Sequence, residues 1–469
     1  MLDSVFLAIG LALPWALGVA IVALVYRRTA AVPTTWIVGC GWFVGIFALT
    51  LWMRAVSLAG MRMSLATVGV PLVIAIGCAG WLAMRNSGDR FSAVVRNYAG
   101  ALGGNALEGL QRTLWRILIA WLAIRFALLF AEVWWRPLYP WDAWTQWGTK
   151  ARVWFELGRI VPFVDVTEWL SRSAPGSYFD AGPHYPATVP LFQVWAALLI
   201  GRWDDALVNL PWWVCGVAFA IALYGGLRRL GFTRLVAMIG ATLTMSLPIL
   251  NVHIALAGYA DLPMAAYVTL GALAALHAMR QRDVSDAIVA VALFLACITV
   301  KNPGRAWLVV LLPAIIAAGF PRHGLKLAGI LFAGAALTIL VLVRTQVKIL
   351  GYQLLPDFMM PWNALFDAYF SFGNWNLLWY CAIATAIVGW RVLLSRDVAP
   401  LTCAIAGGMM FLFVGFAFTN AFLWVEDQST VNRATLHLAP LVVVWIMVTL
   451  RAWQVARDAR TPAAVTAPA

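Results

Sequence analysis

Apolar segments long enough to cross a lipid bilayer recur along this chain of 469 residues. A helix of about 20 apolar residues spans the hydrocarbon core, where only helices and closed barrels satisfy every backbone hydrogen bond. Hydrophobic residues make up 63% of the chain and charged residues 11%, whereas soluble domains have roughly 45–50% and about 25%. We therefore expect an all-α polytopic membrane protein.

The apolar runs predict about thirteen transmembrane helices. They fall at roughly 4–26, 34–53, 64–84, 113–134, 206–226, 235–252, 259–279, 286–300, 304–320, 326–343, 375–393, 400–422 and 435–452.

The net charge of +13 follows the positive-inside rule when these helices are threaded through a membrane. Loops on one side contain most of the basic residues, among them Arg27, Arg28, Arg228 and Arg229. We therefore predict an N-outside, C-inside topology, with an uncleaved first helix because Asp3 stands where a signal peptide has basic residues. No long basic cluster is present, which argues against nucleic acid as a partner.

Two long loops fall on the predicted outside, at about 135–205 and 344–374, and we expect interfacial helices in both. Loops of this length more often contain functional residues than residues that only pack against the core. We divide the chain into an N-terminal three-helix membrane region (1–112), a transmembrane region with both outside loops (113–455) and a disordered cytoplasmic tail (456–469).

The cysteines lie in apolar stretches without metal-binding spacing, so we interpret them as small buried hydrophobic residues rather than a disulfide or zinc framework. They are Cys40, Cys78, Cys215, Cys297, Cys381 and Cys403.

The first outside loop begins with an amphipathic pattern in which Trp141, Trp144 and Trp147 repeat every third residue. The pattern predicts an interfacial helix with its indoles at headgroup depth and Lys150 near its far end. Asp142 lies at the start of this helix. It can cap the helix, or act as a general base toward an acceptor hydroxyl, and the two roles are compatible.

Other polar groups recur at predicted outside helix ends. His184 and Tyr185 lie in a Pro- and Gly-rich turn before a predicted interfacial helix at about 186–200. Near the next outside turn stand His253, Tyr259 and Asp261. Asp261 is either a second N-cap, with Pro263 in the first turn, or a second carboxylate facing the same cavity.

The segment Lys301-Asn302-Pro303-Gly304-Arg305 places a predicted helix start between two cations. Asn302 suits the N-cap and Pro303 the first helical position, and a helix N-terminus with Lys and Arg suits a phosphate. Arg433 is a further cation at an outside helix start. The structural alternative for these cations is contact with lipid headgroups.

Arg125 lies within a predicted span, where a charge is costly unless it is paired. Its sequence gives no clear partner, although Glu132 lies two turns further on the same face.

In combination, these segments resemble the GT-C superfamily of polytopic glycosyltransferases, in particular bacterial relatives of the protein O-mannosyl and aminoarabinose transferases. The resemblance covers about residues 113–452 and rests on the order of five short motifs. They are Trp141-Asp142-Ala-Trp144-x-x-Trp147-x-x-Lys150, His184-Tyr185-Pro186, Gly258-Tyr259-Ala260-Asp261, Lys301-Asn302, and Asn432-Arg433-x-x-Leu436-His437.

The resemblance implies transfer of a sugar, with inversion, from a polyprenyl-phosphate-linked donor to an acceptor hydroxyl on a glycan, lipid or protein. Asp142 would act as the base on the outer face of the bacterial cytoplasmic membrane. The donor phosphate would be held by Lys301, Arg305 and Arg433. The remaining candidates would line the sugar and acceptor cleft; they are Trp141, Trp144, Lys150, His184, Tyr185, His253, Tyr259, Asp261 and Asn302.

Three departures from the family pattern stand out. Pro303 follows the Lys-Asn pair where relatives commonly have an acid, three helices precede the catalytic region, and loop 344–374 matches no known motif. No cofactor is implied with certainty. Some relatives use a divalent metal, so a metal is possible, but the sequence shows no metal site.

Three alternatives to the glycosyltransferase remain. A transporter or flippase of lipid-linked sugars predicts deep charges and broken helices. A lipid-linked glycan polymerase or ligase predicts a site centred on Arg and His. A non-catalytic partner subunit is the third.

Overall fold

The structure is a computed structural model that describes residues 2–29, 32–87, 107–171, 177–349, 352–428 and 430–460. Most of these residues are helical. The chain folds into two compact units, the first formed by Met1–Ala278 with Arg282–Ala306, and the second by Met279–Gln281 with Trp307–Ala469.

The helices of the first unit follow one another with short breaks. They are α1 (Leu2–Val25), α2 (Thr34–Leu58), α3 (Val70–Ser87), α4 (Gly109–Trp135), α5 (Thr149–Leu157), α6 (Val166–Ser171), α7 (Thr188–Ile200), α8 (Leu210–Arg229), α9 (Arg234–Met245), α10 (Pro248–Ala255), α11 (Asp261–Gln281) and α12 (Val284–Val300). A short parallel ladder pairs β1 (Phe163–Val164) with β2 (Tyr178–Phe179).

The second unit takes in the chain from Trp307 onward, so α13 begins in the first unit and ends in the second. The helices from here on are α13 (Pro303–Val310), α14 (Leu312–Gly319), α15 (Gly324–Thr345), α16 (Trp362–Phe366), α17 (Leu378–Val388), α18 (Ala399–Ala417), α19 (Leu423–Glu426), α20 (Val431–Leu436) and α21 (Ala439–Asp458). An antiparallel ladder pairs β3 (Lys348–Ile349) with β4 (Tyr352–Gln353).

Among the described residues, nine helices are long and apolar enough to cross a membrane. They include the predicted spans at the N-terminus, α4, α8, α11, α15, α18 and α21. The pair α9 and α10, predicted as one span at 235–252, bends by 65° at a short break and would make a tenth. The remaining predicted spans form shorter helices, because Pro303, Leu311 and Gly389 fall at their ends or breaks. The chain is thus an all-α membrane protein.

Close helix packing at glycines organises the first unit. A β-carbon added at Gly39 of α2 would overlap the backbone of Ala222 in α8, and one added at Gly18 of α1 would overlap the carbonyl oxygen of Gly41 in α2. Backbones that approach this closely require glycine, as in many membrane helix pairs. The three N-terminal helices therefore belong to the first unit.

The ends of five elements meet at a buried polar cluster centred on Asp286 at the start of α12. Arg229 donates to both carboxylate oxygens, Nη1 to Oδ1 at 2.5 Å and Nη2 to Oδ2 at 2.7 Å. The Tyr26 hydroxyl donates to Oδ1 at 2.5 Å, and His277 Nδ1 lies 2.9 Å from Oδ2. The Trp36 indole donates to the Tyr26 hydroxyl. These donors replace the hydrogen bonds that the Asp286 carboxylate would otherwise make with water.

Four of the six cysteines are buried, whereas Cys78 and Cys381 are exposed, so the prediction of burial is wrong for these two. Both lie on apolar helices that leave one side open to the membrane. All six are free thiols. Of the predicted tail 456–469, the first residues continue α21 to Asp458, and 461–469 lie outside the described residues.

Candidate functional site

The tryptophan-rich start of the first long loop forms a π-helical turn, Ala143–Gly148, that continues into α5. In a π-turn the hydrogen bonds join residues five apart, so residues spaced by three do not share one face. Trp141 and Trp144 are 69% and 46% exposed, whereas Trp147 is 1% exposed. The prediction of one continuous tryptophan face is therefore wrong.

Asp142 precedes this turn with a helical backbone conformation and a half-buried side chain. In the described structure its carboxylate makes no capping hydrogen bond to the turn that follows. The N-cap interpretation is thus wrong for this side chain, because a capping residue adopts an extended conformation that Asp142 lacks. The exposed rings of Trp141 and Trp144, its neighbours in sequence, pack edge to face on each other at 5.4 Å.

Lys150, expected near the far end of an interfacial helix, is buried in an ion pair with Asp180. Its Nζ lies 2.6 Å from Asp180 Oδ2, with the two side chains 2% and 0% exposed, and it donates to the Gly182 carbonyl at 2.7 Å. Burial lowers the pKa of the Lys150 ammonium, while the charge of Asp180 acts in the opposite direction. The pair fastens α5 to the end of the same loop.

The His184–Tyr185 turn packs directly on this region. The Tyr185 backbone N–H donates to the Gly182 carbonyl at 3.1 Å, and the Tyr185 ring packs edge to face on Trp147 at 5.0 Å. His184 is exposed. The helix that follows, α7, begins at Thr188 and is buried from there to Ala197. It is therefore an internal helix, and its predicted interfacial position is wrong, because its residues are apolar on all sides.

The third motif contacts the first motif through Gly258. This glycine has a φ of +103°, and a β-carbon on it would lie 2.7 Å from the Ala143 β-carbon. Its position places the backbone before Asp261 against the residue after Asp142. His253 is buried, with Nδ1 2.8 Å from the Ile249 carbonyl, and its ring lies 5.4 Å from that of Tyr259.

Asp261 is the first residue of α11 and is fully buried. Ala260 holds the N-cap position, so the prediction of Asp261 as N-cap is wrong. Its carboxylate instead accepts from Lys301 Nζ at 2.7 Å, with Lys301 at the end of α12. The proposed second carboxylate and the proposed phosphate cation thus form an ion pair with each other.

The rest of the Lys301–Arg305 segment follows the predicted helix start. Pro303 is the first residue of α13, and the Arg305 backbone N–H donates to the Asn302 carbonyl at 3.2 Å. Asn302 is half-buried, and the Arg305 side chain is exposed.

The fifth motif belongs to the second unit. Arg433 is half-buried on the short helix α20. Its neighbours are fixed by tryptophans: Trp375 donates to Asn432 Oδ1 at 3.0 Å, and Trp307 donates to His437 Nδ1 at 3.2 Å.

Sequence reasoning missed residues that hold the loop in place. Asp180 was visible only as an acid before a Gly-Pro turn. In the N-terminal region, Arg54 Nη2 donates to Thr188 Oγ1 at 2.6 Å, and the Ile160 N–H donates to Ser57 Oγ at 2.9 Å. Nothing in the sequence around Arg54 and Ser57 indicates partners more than 100 residues away.

In the first unit, four motif segments therefore form one connected group. Ala143 meets Gly258, Trp147 meets Tyr185, and Asp261 pairs with Lys301. Within the described ranges, no three His, Cys, Asp or Glu side chains are grouped so that they could hold a metal ion.

Comparison with known proteins gives no relative: no family model, no curated protein and no solved structure matches this chain.

Proposed function

We propose that this protein is a membrane glycosyltransferase. It would move a sugar from a polyprenyl-phosphate-linked donor to an acceptor hydroxyl at the outer face of the cytoplasmic membrane. The observation that supports this proposal is the meeting of four motif segments in the first unit. The segments that contain Asp142, Tyr185, Asp261 and Lys301 are far apart in sequence yet contact one another in series.

Asp142 is the proposed base. Its half-buried carboxylate lies at the start of the π-helical turn, in a segment that carries the two exposed indole rings of Trp141 and Trp144. Flat aromatic rings offer the apolar faces on which a sugar ring rests, and a carboxylate beside them can accept the proton of an attacking hydroxyl. The buried Lys150–Asp180 pair would hold this turn in place, so we assign Lys150 a positioning role.

The leaving phosphate needs positive charge. In the first unit we assign this role to Arg305, with Lys301 as a second contributor; the same role for Arg433, in the second unit, rests on the resemblance alone. The ion pair between Lys301 and Asp261 does not exclude the assignment, because an ammonium group has three N–H groups that can donate hydrogen bonds. When no lipid-linked sugar is bound, the pair would compensate the buried charge of the Asp261 carboxylate.

Turnover of a donor panel tests the proposal. Purified protein in nanodiscs would be given polyprenyl-phosphate sugars with and without acceptors, and release of polyprenyl phosphate would be measured. We expect turnover by the wild type and a loss of about 10²–10⁴-fold in Asp142→Asn, the range for removing a general base. Glu156→Gln is the matched control, because Glu156 is an exposed acid in the same loop. Full turnover by a folded Asp142→Asn variant would refute the assignment of the base.

A carrier of lipid-linked sugars is the second candidate, supported by one observation. The helix α9–α10 is broken with a 65° bend, and Arg125 lies beside the break. Broken helices near charged groups are typical of transporter sites. Binding of a donor without turnover, together with its transfer between leaflets of a vesicle, would favour this function over the transferase.

A further inference from the structure

Arg125 lies deep in α4, an apolar helix of 27 residues. It is 10 residues from the Trp135 end and 16 from the Gly109 end, or about 15 and 24 Å at 1.5 Å per residue. A charge at this depth is expensive and marks a functional site unless a counter-charge is built in. Glu132, the acid nearest in sequence, pairs with Arg136 instead.

Asn251 fixes one edge of the Arg125 guanidinium. Asn251 lies on α10 just after the helix break, and its Nδ2 donates to the Met245 carbonyl at 2.9 Å and to the Leu247 carbonyl at 2.7 Å. The break leaves the Met245 carbonyl to this amide, whereas the Leu247 carbonyl also accepts from the backbone N–H groups of Leu250 and Asn251. With Nδ2 turned toward the two carbonyls, Asn251 Oδ1 faces away from them and accepts from Arg125 Nε at 2.7 Å.

The guanidinium is also held from its face. Its Cζ lies 5.1 Å from the centre of the Trp121 ring, one turn earlier on α4. Nε and one face are thus committed, whereas Nη1 and Nη2 donate to no residue in the described part of the chain, and the side chain is half-exposed. Within that part, no carboxylate pairs with Arg125.

We propose that Arg125 and Asn251 form a binding site for a phosphate group within the membrane. The two Nη nitrogens are a planar pair of donors that matches two phosphate oxygens. A fixed cation in a low-dielectric medium gains most from an anion, and phosphate is the oxyanion that membrane lipids carry. The phosphate would belong to a membrane lipid or be free phosphate. The site is separate from the Asp142 group and does not depend on the proposed function.

Phosphate binding to the full-length protein tests this site. Delipidated protein in a neutral detergent would be titrated with dioleoyl phosphatidate, with dioleoylglycerol as the lipid that lacks phosphate, and with inorganic phosphate. Bound ligand would be counted by native mass spectrometry. We expect the wild type to bind one phosphatidate per chain and Arg125→Gln to bind it at least 10-fold more weakly. Binding by Arg125→Lys should be intermediate, because lysine keeps the positive charge but lacks the planar pair of Nη donors. Arg116→Gln is the matched control, because Arg116 is exposed on the same helix and should bind like the wild type.

The arms of the experiment separate the sources of the phosphate. Arg125-dependent binding of phosphatidate alone identifies a lipid, whereas Arg125-dependent binding of inorganic phosphate identifies a soluble ligand. Equal binding by the wild type and Arg125→Gln, or binding of neither anion, overturns the proposal. If Arg125→Gln does not fold, the Asn251→Asp variant tests the proposal in its place. Its carboxylate would pair with Arg125 and weaken phosphate binding at least 10-fold, and unchanged binding by that variant also overturns the proposal.

Discussion

At the scale of single residues, the first long loop depends on charges that are removed from water. Lys150 and Asp180 are almost fully buried and lie 2.6 Å apart. Each charge is tolerated because the other is present, together with the Gly182 carbonyl and the Gly182 N–H, which donates to Asp180 at 2.8 Å. A buried pair of this kind gives little net stability, but removal of one member is costly.

We therefore expect Asp180→Asn to destabilise the protein by about 3–5 kcal/mol, because it leaves the Lys150 charge buried without a counter-charge. Thermal unfolding in detergent measures the change. The control is Glu132→Gln, which removes an exposed pair with Arg136 and should cost less than about 1 kcal/mol. Equal effects of the two substitutions would contradict the importance of burial. The double variant Lys150→Met with Asp180→Leu should recover much of the lost stability.

Gly258 gives a second prediction at this scale. Replacement by alanine puts a β-carbon 2.7 Å from that of Ala143 and strains a backbone with φ of +103°. We expect Gly258→Ala to reduce donor turnover at least 10-fold by displacing the turn that follows Asp142, with a smaller effect on folding. Gly60→Ala is the control for the strained backbone, since Gly60 also has positive φ but has no atom near its β-carbon position. Normal turnover of Gly258→Ala would mean that this contact does not position Asp142.

The sequence identified segments that contact one another in the structure, but it did not predict how their residues pair. Tyr185, Asp261 and Lys301 were identified from their turns and helix ends, and they contact other motif residues. The partnership of Lys301 with Asp261 was not predicted, because the spacing of motifs along a chain contains no information on which helix ends meet. The burial of Lys150 against Asp180 was also not predicted, since short-range periodicity reveals neither a π-helical turn nor a partner 30 residues away.

At the scale of elements, the Asn251 side chain bridges the break between α9 and α10. Its amide donates to the Met245 carbonyl, which the interrupted helix leaves without a backbone donor, and to the Leu247 carbonyl, which also accepts from the Leu250 and Asn251 N–H groups. A polar group that cannot reach water costs roughly 1–3 kcal/mol when it loses its hydrogen bond. The 65° bend is thus stable as long as these bonds are present.

Asn251→Leu, which keeps the size of the side chain, should destabilise the protein by about 1–3 kcal/mol, because the Met245 carbonyl loses its donor while the Leu247 carbonyl keeps its backbone donors. The melting temperature in detergent reports the loss. Asn363→Leu serves as the control, because Asn363 is exposed on α16 and its replacement should change stability little. A melting temperature unchanged by Asn251→Leu would show that the Met245 carbonyl finds another donor.

On the scale of the whole molecule, the first unit is held at one end by the cluster around Asp286. This carboxylate accepts from Arg229 and Tyr26 and lies beside His277, so residues from α8, α11, α12 and the segment after α1 meet at one buried charge. No short-range pattern in the sequence predicts this meeting, since Tyr26 and Asp286 are 260 residues apart.

We expect Asp286→Asn to cost about 3–5 kcal/mol, because it leaves the Arg229 guanidinium without its carboxylate. Thermal unfolding compared with Asp204→Asn tests this, since Asp204 pairs with Arg202 at a far more exposed position. Equal losses in the two variants would indicate that the cluster does not bind the unit together.

The amount of the fold that could be predicted follows from the same physics. Length and apolarity located α1, α2, α4, α8, α11 and α21 closely, because the bilayer imposes both properties on a span. They did not show that α2 supports the loop through Arg54 and Ser57, since each of these contacts depends on a single polar atom.

The close contact of α1 with α2 has a consequence for how the protein is made. At Gly18 and Gly45, no side chain separates the two backbones, and only the short connection from Tyr26 to Pro33 lies between the helices. Two neighbouring helices with matching surfaces can associate as soon as both have left the ribosome. We therefore expect that synthesis to Leu58 completes a hairpin that enters the bilayer as one piece, with Gly39 placed for contact with α8 when that helix is made.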